Sequence, residues 1–527
     1  MAASCHQRAR KYLQIKPLIP ALGIADVSVS RTRTLPLRSP KRSPTGVPTI
    51  QGVTFDVENL ERLRRWVLGL AIVNFDLEQG PSLSCIFPLF PLYPFEAENI
   101  AFSAFPDSTI FKEGSEIHSF RIREQVMKTN QDGSSSFDGR RAPSSDGFRC
   151  IVVLTQHPYP ALFCALLNKL GPLYHNHGDP ILEVASHNIA KWPSPTPGTT
   201  IELGFLGSVL HVELPGDVDE QQLGTSEQPQ PRIDQDWHVR PKCKFPSHFS
   251  VIIRTQLLAG SPPLAAPSVI HIFEASLSHL WSIWECLVLC EPILIFGQSP
   301  AWTSKAIWWM RDVFRPIPWA GDFRPYFTIH DREHTALVND RRPKAGLLLG
   351  VTNPFYEKVC SHWPHVLTLG GNRQRPPTRS AGPEPGWKTK THNRYTSKDR
   401  QLLQQLEAVA GGGSAKALEE ASFGLRRHFY SRSAALLVPL NRYLNTLIPR
   451  PSEVSRATTD LRLKPFNNAN FFTSLKAHGA ALPFKSSRKQ REFYERWLRA
   501  PAFGLWLARQ EDVVGRTLEN ARSMEAR

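Results

Sequence analysis

The strongest constraint in the chain is a run of large apolar side chains that ends at a proline. Between residues 271 and 289, Phe273, Leu277, Leu280, Trp281, Trp284 and Leu287 recur three and four positions apart. That spacing puts them on one face of a helix. Glu291-Pro292 stops it, because proline has no amide hydrogen and its ring blocks a further turn. Residues 293–296 then start a strand, 302–314 read as another helix, and 323–329 and 346–351 read as strands. Helix and strand in alternation imply an α/β domain.

Upstream, residues 65–75 (RWVLGLAIVNF) form a nearly unbroken apolar run, as in a buried strand. A turn at 76–80 and a second strand at 82–87, ended by Pro88, make a hairpin. A short helix is expected over 96–105, strands over 119–123 and 148–155, and a helix over 160–170 that packs Leu162, Leu166, Leu167 and Leu170. Residues 129–147 are polar and Gly/Ser-rich, hence loop. Residues 191–198 carry Pro193, Pro195 and Pro197, the composition of a linker between domains. From 395 to about 510 the pattern is helical, interrupted by the glycines at 411–413.

The expected organisation is a disordered basic tail over 1–58, a first α/β module over 59–192 and a central α/β module over 199–370. A basic flexible loop over 371–394, a helical module over 395–511 and a tail over 512–527 complete it. The 527 residues are ample for several cores.

Charge is uneven. The net charge is +16, yet residues 1–50 hold nine Lys/Arg against Asp26 alone, and 372–394 hold six against Glu384. The remainder is nearly neutral, so the basic signal sits in a tail and a loop. Such segments favour anionic lipid or nucleic acid without specificity, or are simply solvated. The first 45 residues have the Arg- and Ser-bearing, acid-poor composition of a mitochondrial presequence, but five prolines there would break a presequence helix. Eight cysteines without framework spacing fit a reducing compartment. No run of 18 apolar residues occurs, so no transmembrane helix is expected.

Catalytic motifs are missing. There is no GxxxxGK[ST] phosphate loop, no GxGxxG, no GxSxG elbow and no HExxH metal helix. His175 and His177 lack partnered ligands, Cys286 and Cys290 read as core, and Cys360, His362 and His365 form only a weak metal pattern. No metal, cofactor or covalent chemistry is expected, which favours a binding mechanism. The segment 322–331, DFRPYFTIHD, read as a strand, separates into two faces. Phe323, Phe327 and Ile329 would face the core. Asp322, Arg324, Tyr326, Thr328 and His330 would face the other way, suiting either partner contact or a buried hydrogen-bonded network joining two layers.

Several blocks, in this order, resemble the DENN-domain family and most closely its type-six subfamily. They are RWVLGLAIVNFDLEQG (65–80), FPDS (105–108), FRIR (120–123), WPSPTPG (192–198), WECLVLCEPILIF (284–296), DFRPYFTIHD and LLLGVTNPFYEKVCSHWPHVLTLG (347–370). YTS (395–397), LRRHFY (425–430), VPLNRYLNTLIP (438–449) and FYERWLRAPAFGLW (493–506) follow. The resemblance spans about 60–510. It implies a longin-like module, then the α/β and helical parts of a DENN module. It further implies a cytoplasmic guanine-nucleotide exchange factor, recruited to endosomal membranes, that binds the switch regions of a Rab-type small GTPase. Asp322, Arg324, Tyr326, His330 and Asn353 are the implied contacts, with Leu68, Leu70 and the helix near Pro160 on the longin side. Two departures stand out. Cys290 occupies a helix–strand turn where the family has glycine. The polar residues 129–147 replace a longer Tyr/Phe-rich segment, which would leave the longin sheet short of a strand. A trafficking scaffold without exchange activity, and a basic nucleic-acid or membrane-surface binder, are the alternative readings.

Overall fold

The computed structural model describes residues 11–18, 55–106 except 77 and 91, 116–122, 148–215, 257–371 except 264–265, 382–449 and 463–525. The chain is mixed α/β, as expected.

The first sheet contains β1 (Lys11–Leu18), β2 (Gly69–Asp76), β3 (Gly80–Phe87), β4 (His118–Ile122) and β5 (Phe148–Thr155). Its order is β3-β2-β5-β1-β4, antiparallel throughout. The unbroken apolar character of β2 and β5 follows from burial on both faces. Leu70, Ile72, Ile151 and Val153 share a core with the helices Pro160–His177 and Pro180–Ala190. Their alternates Ala71, Val73, Cys150 and Val152 pack with helix Pro94–Ala104 on the other side.

The 1–58 segment is therefore not wholly a disordered tail. Gln14 of β1 pairs with Val153 of β5 on one side and with Ser119 of β4 on the other. The sheet is not left short, because β1 fills the position between them. Residues 129–147, read as a loop, lie outside the described residues.

The boundary expected at 192–199 also moves. A hairpin of β6 (Thr200–Phe205) and β7 (Ser208–Glu213), with β8 (Leu257–Leu258) parallel to β7, carries Leu203, Phe205, Val212 and Leu214. These join the core of the first module beside Trp192. The proline-rich segment redirects the chain without separating two cores.

The central sheet runs β10-β11-β9-β12-β13, from β9 (Ile293–Phe296), β10 (Phe323–Arg324), β11 (Leu348–Val351), β12 (His365–Thr368) and β13 (Gly386–Thr389). Its strands are parallel except for the edge strand β13. The long helix expected over 271–289 is broken into a turn at Val269–Ile272, a 3-10 segment Glu274–His279 and a helix Leu280–Val288. The cause is tertiary: the Ala275 amide donates to the Gly370 carbonyl (3.0 Å) and the Gly370 amide to Ile272 (2.8 Å). The apolar face survives, since Phe273, Leu277, Leu280, Trp281, Trp284 and Leu287 lie in one core.

The strand expected over 323–329 shrinks to Phe323–Arg324. Pro325 follows and has no amide for a ladder. Beyond it the two-face alternation fails: Thr328 is buried and Ile329 is 42% exposed. Gly350 on β11 makes this crossing possible, because a Cβ there would lie 2.4 Å from the Pro325 carbonyl oxygen.

The helices Arg400–Ala410, Ala415–Leu447, Asn468–His478, Ser487–Trp497 and Pro501–Glu525 complete the chain. The last extends past the boundary expected at 511. The triple glycine is a turn, with the Gly413 amide on the Val409 carbonyl (2.8 Å) and Ser414 capping the next helix through the Ala417 amide (3.2 Å). The central and helical parts share one core: Trp281, Trp284 and Trp309 pack with Phe429, Leu436, Tyr494 and Trp497.

Candidate functional site at the seam between the two sheets

The sequence-marked segment 322–331, with the residues just after it, lies where the first module meets the central one. Strand β4 supplies one side. The Ser119 amide donates to the Ser304 hydroxyl (3.0 Å), the two hydroxyls lie 2.7 Å apart, and the Trp308 indole donates to the Ser119 Oγ at 2.6 Å. The Tyr326 hydroxyl donates to the Phe105 carbonyl at 3.2 Å, and Ser299 bonds to Glu116.

At the centre two arginines cross the seam in opposite directions. Arg121, from β4, donates to Asp322 Oδ1 at 2.9 Å. Arg324, from β10, donates to the Arg121 carbonyl at 3.0 Å and to Asp322 Oδ2 at 3.3 Å. Arg324 also pairs with Asp331 at 3.8 Å and with Glu333. Arg121 and Arg324 are buried, as are Asp322 and Asp331. Burying charge is costly unless it is paired and hydrogen-bonded, and the geometry meets that condition. The Phe323 ring has Arg121 4.5 Å from its centroid and Arg311 at 4.2 Å.

The seam biases its titratable groups. Burial pulls the His118 imidazole down to about 4, although its Nε2 bonds to the Ser103 carbonyl at 3.0 Å. Burial raises the Asp331 carboxyl above its ordinary range, opposed by the Arg324 charge and a hydrogen bond with Asn99. Burial also lowers His330, against the pull of Glu98.

The seam reaches the surface along the outer side of helix Pro94–Ala104. His330 stacks on Phe102 with ring centroids 3.8 Å apart, and the Arg332 guanidinium sits 4.2 Å from the Phe95 centroid. Tyr93 stacks on Phe95 at 5.5 Å. Ile329, His330 and Arg332 are exposed, as are Tyr93 and, farther along, Phe355. This patch of aromatic rings around the Arg332 guanidinium contains side chains from both modules.

The residues anticipated as partner contacts divide. His330 is exposed, and the half-exposed Asn353 accepts the Phe355 amide at 3.0 Å just before the short helix Phe355–Val359. Asp322, Arg324 and Tyr326 are buried in the seam, which corrects their reading as direct contacts and matches the buried network joining two layers. Leu68 and Leu70 are core residues on opposite faces of the first sheet. The helix beginning at Pro160 gives most of its apolar side chains to that core. A contact role requires accessible area, and Asp322, Arg324, Tyr326, Leu68 and Leu70 have almost none to give, whereas the helix keeps an exposed side at Asn168, His175, Asn176 and His177. Tyr93, Phe95, Phe102 and Arg332 were missed, because nothing in a linear pattern places helix 94–104 beside residues 329–334. Among the described residues no group of His, Cys, Asp and Glu has the arrangement of a metal site.

No protein-family model matches the chain. Mouse protein DENND6B is 27% identical over 497 residues, spanning 87% of this chain and 81% of its own length. Mouse protein DENND6A is 26% identical over 493 residues, spanning 86% and 78%. The DENND6 homolog of Dictyostelium discoideum is 27% identical over 508 residues, spanning 84% and 70%.

Proposed function

The chain is a relative of the type-six DENN proteins along most of its length, and from that premise we propose that it is a guanine-nucleotide exchange factor for a Rab-type small GTPase. Relatedness over 87% of the chain carries the reading, because a match of that extent must include most of both modules and of the helical part. The exposed seam patch supports it. A surface assembled from two modules can grip a flexible partner at two points and favour its opened form.

The mechanism is differential binding, with no bond made or broken by this chain. Bound GDP leaves because the opened GTPase is held more tightly than the closed one, and GTP then refills the site. A ten-thousandfold acceleration needs about 5.5 kcal/mol of such preference. An interface of roughly 1,600 Å² is large enough to supply it. His330, Arg332 and Phe95 are the contacts proposed on the patch, with Asn353 holding the adjacent turn. The protein would act in the cytoplasm and be recruited to endosomal membranes, where the basic segments 1–50 and 372–394 would favour anionic lipid.

Release of a fluorescent GDP analogue from a panel of Rab GTPases tests this. Acceleration of at least one member is expected, weakened about tenfold in Arg332→Ala. Binding without acceleration would favour the scaffold reading. Neither binding nor acceleration across the panel would end the proposal.

A further inference from the structure

We infer that Arg324 is a positioning residue, which fixes the exposed loop 329–334 against the seam so that the docking patch keeps one shape. The inference rests on the reading that a partner docks on that patch.

The guanidinium of Arg324 works on two sides at once. Toward the seam it meets Asp322 Oδ2 at 3.3 Å and the Arg121 carbonyl at 3.0 Å. Toward the loop it pairs with Asp331 at 3.8 Å and with Glu333. Asp331 in turn organises the loop. Its Oδ1 accepts the Glu333 amide at 2.8 Å, its carbonyl accepts the His334 amide at 2.8 Å, and its own amide donates to Thr328 at 3.2 Å. The two side chains flanking Asp331 are those laid on helix Pro94–Ala104, His330 on Phe102 and Arg332 on Phe95.

Only a flat, multi-donor head can hold these directions together. Lysine would keep the charge and bring a compact ammonium, which cannot span the seam side and the loop side in the same plane. Arg324 is fully buried, so it touches no partner itself. Its influence passes through Asp331 and Glu333 to the exposed side chains between and beside them.

Hydrogen exchange of the amides of 329–334, measured on the full chain, tests the inference in Arg324→Lys. Asp331→Asn and Glu333→Gln break the loop side alone and serve if Arg324→Lys fails to fold. Ser304→Ala, which alters the seam without touching Arg324, is the control. Loop protection is expected to fall at least tenfold in the Arg324 and Asp331 variants and to persist in Ser304→Ala. With a GTPase whose GDP release the parent accelerates, kcat/KM should fall about tenfold in the variants whose loop loosens. Unchanged loop protection in folded Arg324→Lys or Asp331→Asn overturns the inference. So does a loosened loop with unchanged exchange. If the parent accelerates no GTPase, the exchange reading falls by itself, and loop protection alone decides whether Arg324 positions the loop.

Discussion

The central sheet has two junctions, and they are built from different materials. Toward the C-terminal helices the junction is apolar, with one core running from Trp281, Trp284 and Trp309 to Phe429, Tyr494 and Trp497. Its polar insertions are the buried Asp312–Arg426 ion pair (2.9 Å) and Glu285, fully buried, whose carboxylate accepts the Thr396 amide and hydroxyl (both 2.7 Å), the Tyr395 amide (2.9 Å) and the His392 Nε2–H (2.9 Å). Toward the first sheet the junction is polar, made of Arg121, Asp322, Arg324, Ser119 and Ser304. Tyr326 is the central-module side chain that enters the apolar core on the first module's side. Apolar burial is non-directional and makes two layers melt as one. Ion pairs and hydrogen bonds are directional, so they fix an orientation while adding less net stability. The first junction makes a cooperative unit, and the second sets an angle between two units.

The comparison can be broken most severely at β1. Deleting residues 1–18 removes a strand from the middle of the first sheet and leaves β4 without a neighbour among the described strands. Calorimetry should then show loss of the transition belonging to the first module, while the central and helical parts still melt together. One unchanged transition would mean that β1 does not hold the sheet.

Glu285→Ala probes the other junction. It leaves three donor groups and an imidazole without their acceptor, and removing one side of such a buried charged network costs about 3–5 kcal/mol. Urea unfolding followed by tryptophan fluorescence should show the central sheet and the helices destabilised as one step. Two separated steps would refute the shared core as a cooperative unit.

Acid titration compares the junctions through one histidine each. Burial depresses His118 at the seam and His428 at the helical junction, both to about 4. A depressed histidine takes up its proton more readily when unfolded. Stability therefore falls as pH drops below about 6.5 toward 4, by up to about 1.4 kcal/mol per pH unit for each group. His428 should suffer more at its bond, because its Nε2 accepts the Trp281 indole at 3.1 Å and would lose that role once protonated. His118→Gln should flatten the pH dependence of the first transition and leave the second as it was. A pH dependence unchanged in that variant would exclude His118 as its source.

The smallest effect is expected at Cys290, in the turn between helix Leu280–Val288 and β9. Its φ is +53°, a region that costs a side-chain-bearing residue about 1–2 kcal/mol. Glycine relieves that cost but forfeits a buried thiol, so Cys290→Gly should fall within about 1 kcal/mol of the parent. Cys290→Val adds a β-branch at positive φ and should lose about 2 kcal/mol in thermal unfolding. Equal stability of the two variants would show that the turn tolerates branching.

Much of the fold was legible because its signals are local. The apolar runs of β2 and β5 and the Pro-stopped helix before β9 each depend on neighbours within a few residues. The errors fall where distant chain intervenes. Backbone bonds from Gly370 broke the 271–289 helix, Pro325 and the Gly350 crossing shortened the 323–329 strand, and the hairpin at 200–213 took its core from the preceding module. Of the candidate site, sequence found the segment 322–331 but not its orientation. Alternation is informative only while a strand continues, and here it continues for two residues.

The sequence by itself determined the α/β alternation, the helical C-terminal part and the resemblance to one family, since periodicity and ordered motifs survive without coordinates. Only the tertiary structure decided that Asp322, Arg324 and Tyr326 are interior, that Tyr93, Phe95 and Arg332 share a surface with His330, and that residues 11–18 complete the first sheet. The physical reason is that burial and pairing are properties of what packs against a residue. In this chain those partners come from more than 200 positions away, as in the Arg324–Arg121 bond, which spans 203.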